Sequence, residues 1–301
     1  MIKKIVVGLV IMALVAGLGY FFLWPSDYRV SFNATTTAGT INQSLKSWNT
    51  QLEASEIIAS HNLNELQQEI RINDSLHRYT WSITQLNDST QRIHMDVKDL
   101  EHSLANKWQV LFDDNPPIAL LAKKHAKSFY TLLMDHLSRI RVTIEGESTI
   151  PTLYCAYIPL KGLQIEKAKG MMQNYTLLSD VLLKNQVTLN GTPFVEITKW
   201  DRATDSISYN FCFPIKRSEK LPILKQIKYK RVFEQPAIKA EYNGNYITSD
   251  RAWYALLDYA ERNDIAVETT PIEIFYNNPN MGGDELNWKA EIYMPIAREE
   301  D

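Results

Sequence analysis

The chain of 301 residues has few of the side chains that build metal sites and disulfide frameworks. It has only two cysteines, Cys155 and Cys212, and they do not form a CxxC pair. The sequence therefore excludes a zinc knuckle and a disulfide scaffold, and it leaves a reduced pair or one bridge between these two residues. All six histidines precede residue 150, so the C-terminal half has no imidazole for a Ser-His triad or a histidine metal cluster. We expect neither a metal nor another cofactor.

The chain also has no excess of positive charge. Its 32 basic and 35 acidic residues give a formal net charge of −3, so no basic surplus is present to neutralise a phosphate backbone. We therefore expect no nucleic-acid partner. A hydrophobic share of 45% with 22% charged residues is typical of a globular protein, and the length suits two ordinary domains beside a membrane segment.

Charge is missing altogether from one stretch near the N-terminus. Residues 5–24 are uncharged and about as long as a helix that crosses a bilayer. Lys3 and Lys4 precede this run and Asp27 follows it, so the positive-inside rule places the bulk of the chain on the outer side, periplasmic or extracellular. We predict a single-pass anchor over residues 1–26. A cleaved signal peptide is the alternative, although its apolar core is usually shorter.

Residues 27–145 read as a strand, a helix, an antiparallel meander and a long helix. The first strand is YRVSF, and Ile41, Leu45 and Trp48 follow at helical spacing. The meander is predicted from alternation of apolar and polar residues around Ile70, Tyr79, Trp81, Ile93 and Met95, with N-D-S turns between the runs. After Pro116-Pro117, an amphipathic helix carries His125 and His136 on its apolar stripe.

This order of elements resembles the SRPBCC, or polyketide-cyclase-like, helix-grip superfamily. The resemblance implies an apolar cavity between a curved sheet and the long helix. His125 and His136 would then either face that cavity as ligand contacts or serve as packing residues.

From residue 151 onward the chain repeats itself at an offset of about 80 residues. Each copy reads strand, helix, strand, strand, and the copies close on Pro214-Ile215 and Pro295-Ile296. Two such copies imply a domain with a cleft between its halves. The predicted fold class is α+β: a transmembrane helix, a helix-grip-like domain, and a duplicated β-α-β-β domain over residues 150–301.

The duplicated pattern resembles the GyrI-like family, also known as the AraC effector-binding or SOUL-related domain. Gly244-x-Tyr246 resembles the family's turn, Trp253 its helical aromatic, and residues 271–279 and 291–296 its third and last strands. The resemblance implies a small-molecule site in the cleft, where family members hold lipophilic cations between a carboxylate and aromatic rings.

Glu291 is the carboxylate that this resemblance selects. It shares one face of the last strand with Tyr293, and its equivalent in the first copy is Asn210, so we expect one acidic centre. The alternative is that Glu291 is exposed or pairs with Lys239. Glu273 is expected to be solvated. The predicted ligand-binding residues are Glu291, Tyr293, Trp253, Tyr246, Tyr157 and Phe275, with Tyr254 as a further ring; for Trp253, a plain core position is the alternative.

The function predicted from these patterns is membrane-anchored binding of a small amphipathic or cationic organic ligand, without a DNA-binding head. The alternative is a hydrolase of strained electrophilic molecules, because some GyrI-like relatives have this activity. In that case Glu291 would be the general base or the nucleophile.

Overall fold

The computed structural model describes residues 2–298. The chain divides into two compact units, Met1–Met134 and Asp135–Asp301. Each unit is built on its own antiparallel sheet, with five strands in the first and eight in the second.

The N-terminal helix α1 spans Ile2–Leu18 and continues through a π-helical turn at Gly19–Leu23. The stretch Lys3–Leu23 is long and apolar enough to cross a membrane, and none of its most apolar window is buried by the protein. A membrane span and a signal sequence both fit a helix of this kind.

The elements of the first unit are β1 (Tyr28–Thr35), α2 (Ala38–Asn49), β2 (Ser55–Asn62), β3 (Glu65–Ile72), β4 (Ser75–Gln85), β5 (Thr90–Asp99), α3 (Ser103–Phe112) and α4 (Pro117–Ser138). The five-stranded sheet has the order β1-β5-β4-β3-β2. The structure confirms the predicted succession of strand, helix, meander and long helix, and adds strand β2, which pairs with β3, and helix α3. The alternation that predicted the meander marks the buried face, where Tyr79, Trp81 and Met95 are fully buried.

His125 is a packing residue of this unit. Its Nδ1 lies 2.8 Å from the hydroxyl of Tyr79, and its ring meets Trp48 edge-on at a centroid distance of 5.9 Å. Burial lowers the pKa of His125, so the ring stays neutral at pH 7.

The elements of the second unit are β6 (Arg141–Ile150), β7 (Leu153–Leu163), α5 (Lys167–Lys184), β8 (Phe194–Asp201), β9 (Ser206–Pro214), β10 (Lys228–Val232), β11 (Gln235–Asn243), α6 (Arg251–Arg262), β12 (Ile272–Phe275) and β13 (Lys289–Pro295). The eight-stranded sheet has the order β10-β7-β9-β8-β12-β13-β11-β6. The duplication is confirmed, since one half is β7-α5-β8-β9 and the other is β11-α6-β12-β13.

The edge strands β6 and β10 extend the duplicated core. Strand β6 pairs along β11, so it belongs to this sheet, whereas the predicted boundaries at 145 and 150 cut through it. Alternation of apolar and polar residues predicts the two faces of a strand but not the strand with which it pairs. The partner of β6 is β11, which lies far along the chain.

Candidate ligand site

A cavity of about 310 Å³ lies between the two halves of the duplicated domain. The first half contributes residues of α5 and Phe211 of β9, and the second half contributes the Gly244 turn, Phe275 and the loop that follows β12. None of the described lining residues is acidic or basic. They are Ala168, Met171, Met172, Tyr175, Thr192, Pro193, Phe211, Asn245, Tyr246, Ile247, Phe275, Tyr276, Asn277, Asn278, Pro279 and Trp288.

The Gly244 turn positions Tyr246 in the cavity wall. Gly244 has a φ of +146°, and a Cβ at this position would lie 2.7 Å from the Tyr242 hydroxyl, so a larger residue is excluded sterically. The Asn245 side chain then accepts a hydrogen bond from the Ile247 amide at 3.0 Å. This turn chemistry fixes the direction in which Tyr246 leaves the backbone.

Two of the aromatic residues predicted to contact a ligand, Tyr246 and Phe275, line the cavity. Their ring centroids are 4.7 Å apart, and Trp288 lies 6.1 Å from Tyr246. The Tyr246 hydroxyl donates to the Lys289 carbonyl at 2.7 Å and accepts from the Asn277 amide at 3.1 Å. Burial raises the pKa of Tyr246 to about 12, so this hydroxyl keeps its proton at neutral pH.

Glu291 does not line the cavity, and its charge is compensated by the protein itself. One carboxylate oxygen lies 2.9 Å from Lys239 and 3.3 Å from Lys289. The other accepts hydrogen bonds from the hydroxyls of Tyr276 at 2.8 Å and Tyr293 at 2.9 Å. The pairing with Lys239 that sequence reasoning kept as an alternative is therefore present.

Burial by itself would raise the pKa of Glu291. The hydrogen bonds from Lys239, Tyr276 and Tyr293 outweigh that effect and lower the pKa to about 2. Lys239 also lies 5.5 Å from the centroid of the Tyr293 ring. The arrangement predicted for a ligand cation, a carboxylate beside an aromatic face, is thus occupied by a lysine of the chain.

Glu273 is not solvated, and that expectation was wrong. Its side chain and that of Lys167 are both fully buried. Lys167 Nζ lies 2.5 Å from both carboxylate oxygens, and Trp253 Nε1 donates to one of them at 2.5 Å. Burial raises the pKa of the Glu273 carboxyl, and the charge of Lys167 opposes that rise. Both faces of β12 are covered, so alternation along the strand could not show which residues meet water.

The remaining predicted site residues lie outside the cavity. Trp253 is fully buried, and its ring centroid is 4.5 Å from Lys167 Nζ. Tyr254 is buried and accepts a hydrogen bond from Gln164 at 3.0 Å. Tyr157 packs with Tyr293 in an apolar cluster that includes Cys155 and Cys212, and both of these cysteines are free thiols.

Sequence reasoning missed the contribution of the first-copy helix to the cavity. Met171, Met172 and Tyr175 lie on α5, and Tyr175 and Met172 are 41% and 61% exposed. The signal was available, because these apolar residues lie beside the buried stripe of Ala168, Leu178 and Leu182. An apolar face wider than its packing stripe indicates a second contact.

Comparison with known families gives one match for the second unit. Residues 156–297 match the family model described as the GyrI-like small molecule binding domain. The search of curated proteins found no match.

Three solved structures that the chain resembles each cover about half of it. The EcmrR C-terminal domain is 15% identical, with a TM-score of 0.41, over 53% of this chain and 98% of its own. SAV2435 bound to tetraphenylphosphonium is 11% identical, with a TM-score of 0.39, over 52% and 94%. A hydrolase from Listeria innocua is 11% identical, with a TM-score of 0.34, over 50% and 92%.

Proposed function

Since residues 156–297 are a GyrI-like small molecule binding domain, we propose that the chain is a membrane-anchored receptor for a small amphipathic organic molecule. The ligand would occupy the cavity between the two halves of this domain. The observation that carries the proposal is the cavity itself, about 310 Å³ in volume, with aromatic and methionine walls and no acidic or basic group among its described lining residues.

The composition of the wall selects the ligand class. Phe211, Phe275 and Met171 offer apolar and polarisable surface, which favours a hydrophobic or aromatic body. Asn245 and Asn277 add amide groups to the wall, and such groups orient the polar end of a ligand. An amphipathic molecule satisfies both parts of the wall.

A cationic ligand held by Glu291 is the second candidate. Glu291 and Tyr293 lie on one face of β13, as predicted for such a site. The ligand contacts predicted for this candidate also include Trp253, Tyr246, Tyr157 and Phe275. A ligand cation would have to displace Lys239, which lies 2.9 Å from the carboxylate. Such a displacement replaces one ion pair with another and requires water to solvate the released ammonium group of Lys239. The net gain in binding free energy is therefore small.

Hydrolysis is less well supported than binding. A general base works best when its pKa lies near the operating pH, whereas the pKa of Glu291 is about 2. Two other carboxylates of the domain are buried. Glu273 is held by Lys167 and Trp253, and Asp250 pairs with Arg251 at 2.8 Å and accepts a hydrogen bond from Gln164. Glu291 and Glu273 are therefore not free to take a proton from a substrate or a water molecule.

We further propose that α1 is retained as the membrane anchor, with the bulk of the chain on the outer side. Lys107 Nζ donates to the backbone carbonyls of Tyr20, Phe21 and Trp24 at 3.2, 3.2 and 2.7 Å. These bonds tie the end of the helix to the folded unit. Removal of the chain up to Trp24 with a signal peptide would leave buried Lys107 without these acceptors. Resistance to alkaline carbonate extraction and protease sensitivity in spheroplasts would support this proposal. Protection of the whole chain from protease would show instead that its bulk lies on the inner side of the membrane.

Native mass spectrometry of the detergent-purified full chain would test the binding proposal. The probes are a dimethylaminonaphthalene and its trimethylammonium analogue, which differ mainly in charge. Met172→Ala should weaken the binding of each probe by about 1 kcal/mol, which is the free energy expected when one or two methylene groups are removed from a contact. Leu183→Ala is the matched control, because Leu183 lies on the same helix, is 62% exposed and does not line the cavity.

Glu291→Gln separates the two candidate sites. The cavity proposal predicts that it changes the affinity of either probe less than about twofold, as expected for a residue without ligand contact. Selective loss of the cationic probe in Glu291→Gln, with normal binding by Met172→Ala, would place the ligand at Glu291 and reject the cavity.

A further inference from the structure

Helix α3 has its polar residues turned inward and its apolar residues turned outward. Its inward side makes three polar contacts: Ser103 with Asp27, Asn106 with Asp99, and Lys107 with the carbonyl of Trp24, just after the π-helical turn. Lys107 is only 2% exposed. A helix on the surface of a globular unit normally buries its apolar side. In α3 the polar side faces the protein and the apolar side is exposed.

The outward side of α3 forms one continuous apolar face. It consists of Leu104, Trp108, Leu111 and Phe112, which are 51%, 59%, 52% and 71% exposed. Their spacing of four, three and one residues places them on one stripe of the helix. The rings of Trp108 and Phe112 are 4.6 Å apart. Contiguous exposed apolar side chains of this size mark a contact surface.

The position of α3 identifies what it contacts. The Phe21 ring lies 6.1 Å from the Trp108 ring, and Lys107 binds carbonyls between Tyr20 and Trp24. These residues are at the end of the apolar helix Lys3–Leu23. If that helix crosses a bilayer, its end lies at the level of the headgroups. The apolar face of α3 begins at that same level.

We propose that α3 is an interfacial helix that inserts its apolar face into the bilayer beside the anchor. This inference rests on the proposed membrane anchor and adds a second contact with the lipid. An anchor alone lets the domain swing, whereas a helix in the interface fixes the first unit against the membrane surface. Trp108 is well suited to this depth, because its ring is apolar while its N–H can reach water or headgroups.

The bilayer fits this face better than a second copy of the chain. The apolar face continues from a segment that is itself apolar and unburied, since Phe22, Leu23 and Trp24 are 67%, 83% and 53% exposed. One lipid surface would cover both, whereas a protein partner on α3 would leave the helix end uncovered. Continuity with the span therefore favours lipid.

Site-specific fluorescence quenching tests the proposal on the full chain. Phe112→Cys, Val10→Cys and Asp88→Cys are each labelled with an environment-sensitive thiol dye, which the two buried native cysteines do not take up under native conditions. The chain is reconstituted in phosphatidylcholine vesicles brominated either near the glycerol end or near the tail end of the acyl chains. Val10 lies within the span and Asp88 in an exposed turn.

We expect shallow bromine to reduce the emission of the dye at 112 by about half, as for a helix in the interface. Deep bromine should quench the dye at 10, and the dye at 88 should be unaffected. Quenching at 10 with none at 112 would overturn the interfacial helix and leave the anchor intact. Absence of quenching at both positions would reject the anchor as well. A blue-shifted dye at 112 without bromine quenching would mean that a protein covers α3, which also overturns the proposal.

Discussion

Glu273 and Lys167 form a fully buried ion pair that joins the two halves of the GyrI-like domain. Removing one partner leaves the other charge buried without compensation. We therefore expect Glu273→Gln to lower the free energy of unfolding by about 3 to 5 kcal/mol. Denaturant titration of the detergent-purified chain, followed by the signal of the second unit, measures this loss.

Glu241→Gln is the control for this prediction, because Glu241 pairs with Lys289 at 2.8 Å while 26% of its side chain stays exposed. It should cost at most about 1 kcal/mol. The double variant Glu273→Gln, Lys167→Met should regain part of the loss, since no unpaired ammonium remains. Equal losses for Glu273→Gln and Glu241→Gln would contradict the buried-pair account.

Glu291 should make the stability of the domain depend on pH in the acid range. Its pKa falls from 4.5 to about 2 in the folded protein, so the unfolded chain binds the proton first. The stabilisation is complete above pH 4.5 and is lost as the pH falls from 4.5 to 2. After allowance for solvent screening it amounts to about 1 to 2 kcal/mol.

The measurement is the unfolding midpoint of wild type and Glu291→Gln between pH 6 and 2. The difference between the two proteins should shrink steadily below pH 4.5, because the other acids titrate alike in both. A constant difference over this interval would mean that Glu291 is not held as a carboxylate by Lys239 and the two tyrosines.

Strand parity explains which residue roles were predictable. The sequence correctly put Glu291 and Tyr293 on one face, because alternation is a property of any strand. The prediction that Glu273 is exposed to solvent was wrong, because Lys167 of α5 and Trp253 of α6 contact its carboxylate and cover that face of β12. Whether a strand face is buried depends on contacts between distant parts of the chain, and local periodicity does not predict those contacts.

Helix α5 approaches strand β9 closely at Gly170. A Cβ there would lie 2.0 Å from the Tyr209 hydroxyl, and Tyr209 is only 3% exposed. Alanine has a better helix propensity than glycine by about 1 kcal/mol, but the overlap outweighs it. We expect Gly170→Ala to lower the free energy of unfolding by about 1 to 3 kcal/mol.

The second substitution Tyr209→Phe removes the atom that overlaps and should restore most of that loss in a double-mutant cycle. Thermal unfolding of the four proteins gives the coupling energy. Additive effects would show that α5 does not approach β9 as described. The same close approach brings Met171 and Tyr175 to the cavity, so Gly170→Ala should also weaken binding of the naphthalene probe.

Elements of the repeated core were predictable and the added strands were not. Each copy carries its own helix and three strands, so comparing one copy with the other identified them. Strand β2 has no counterpart in the chain, and β6 and β10, which form the two matching edges of the second sheet, lie outside the repeat that the sequence comparison identified. Their existence depends on an open sheet edge that the sequence does not show.

The second unit should fold alone only if strand β6 is included. Residues 135–301 contain the whole sheet, whereas residues 151–301 lack β6, expose the edge of β11 and lose Ile150, which is fully buried. We expect the longer fragment to unfold cooperatively and the shorter one to melt at least about 5 °C lower or to aggregate. Equal melting temperatures would mean that β6 is dispensable for the domain.

Photolabelling is the most direct test that the cavity of the GyrI-like domain is the ligand site. The full chain in lipid vesicles is irradiated with a diazirine-bearing amphipathic naphthalene, and labelled residues are identified by peptide mass spectrometry. The account predicts labels on Met171, Met172 or Tyr175 of α5 and on residues 277–279, which line the cavity, with competition by the unmodified probe. Saturable labelling confined to the strands that carry Lys239 and Glu291, or to the first unit, would contradict it.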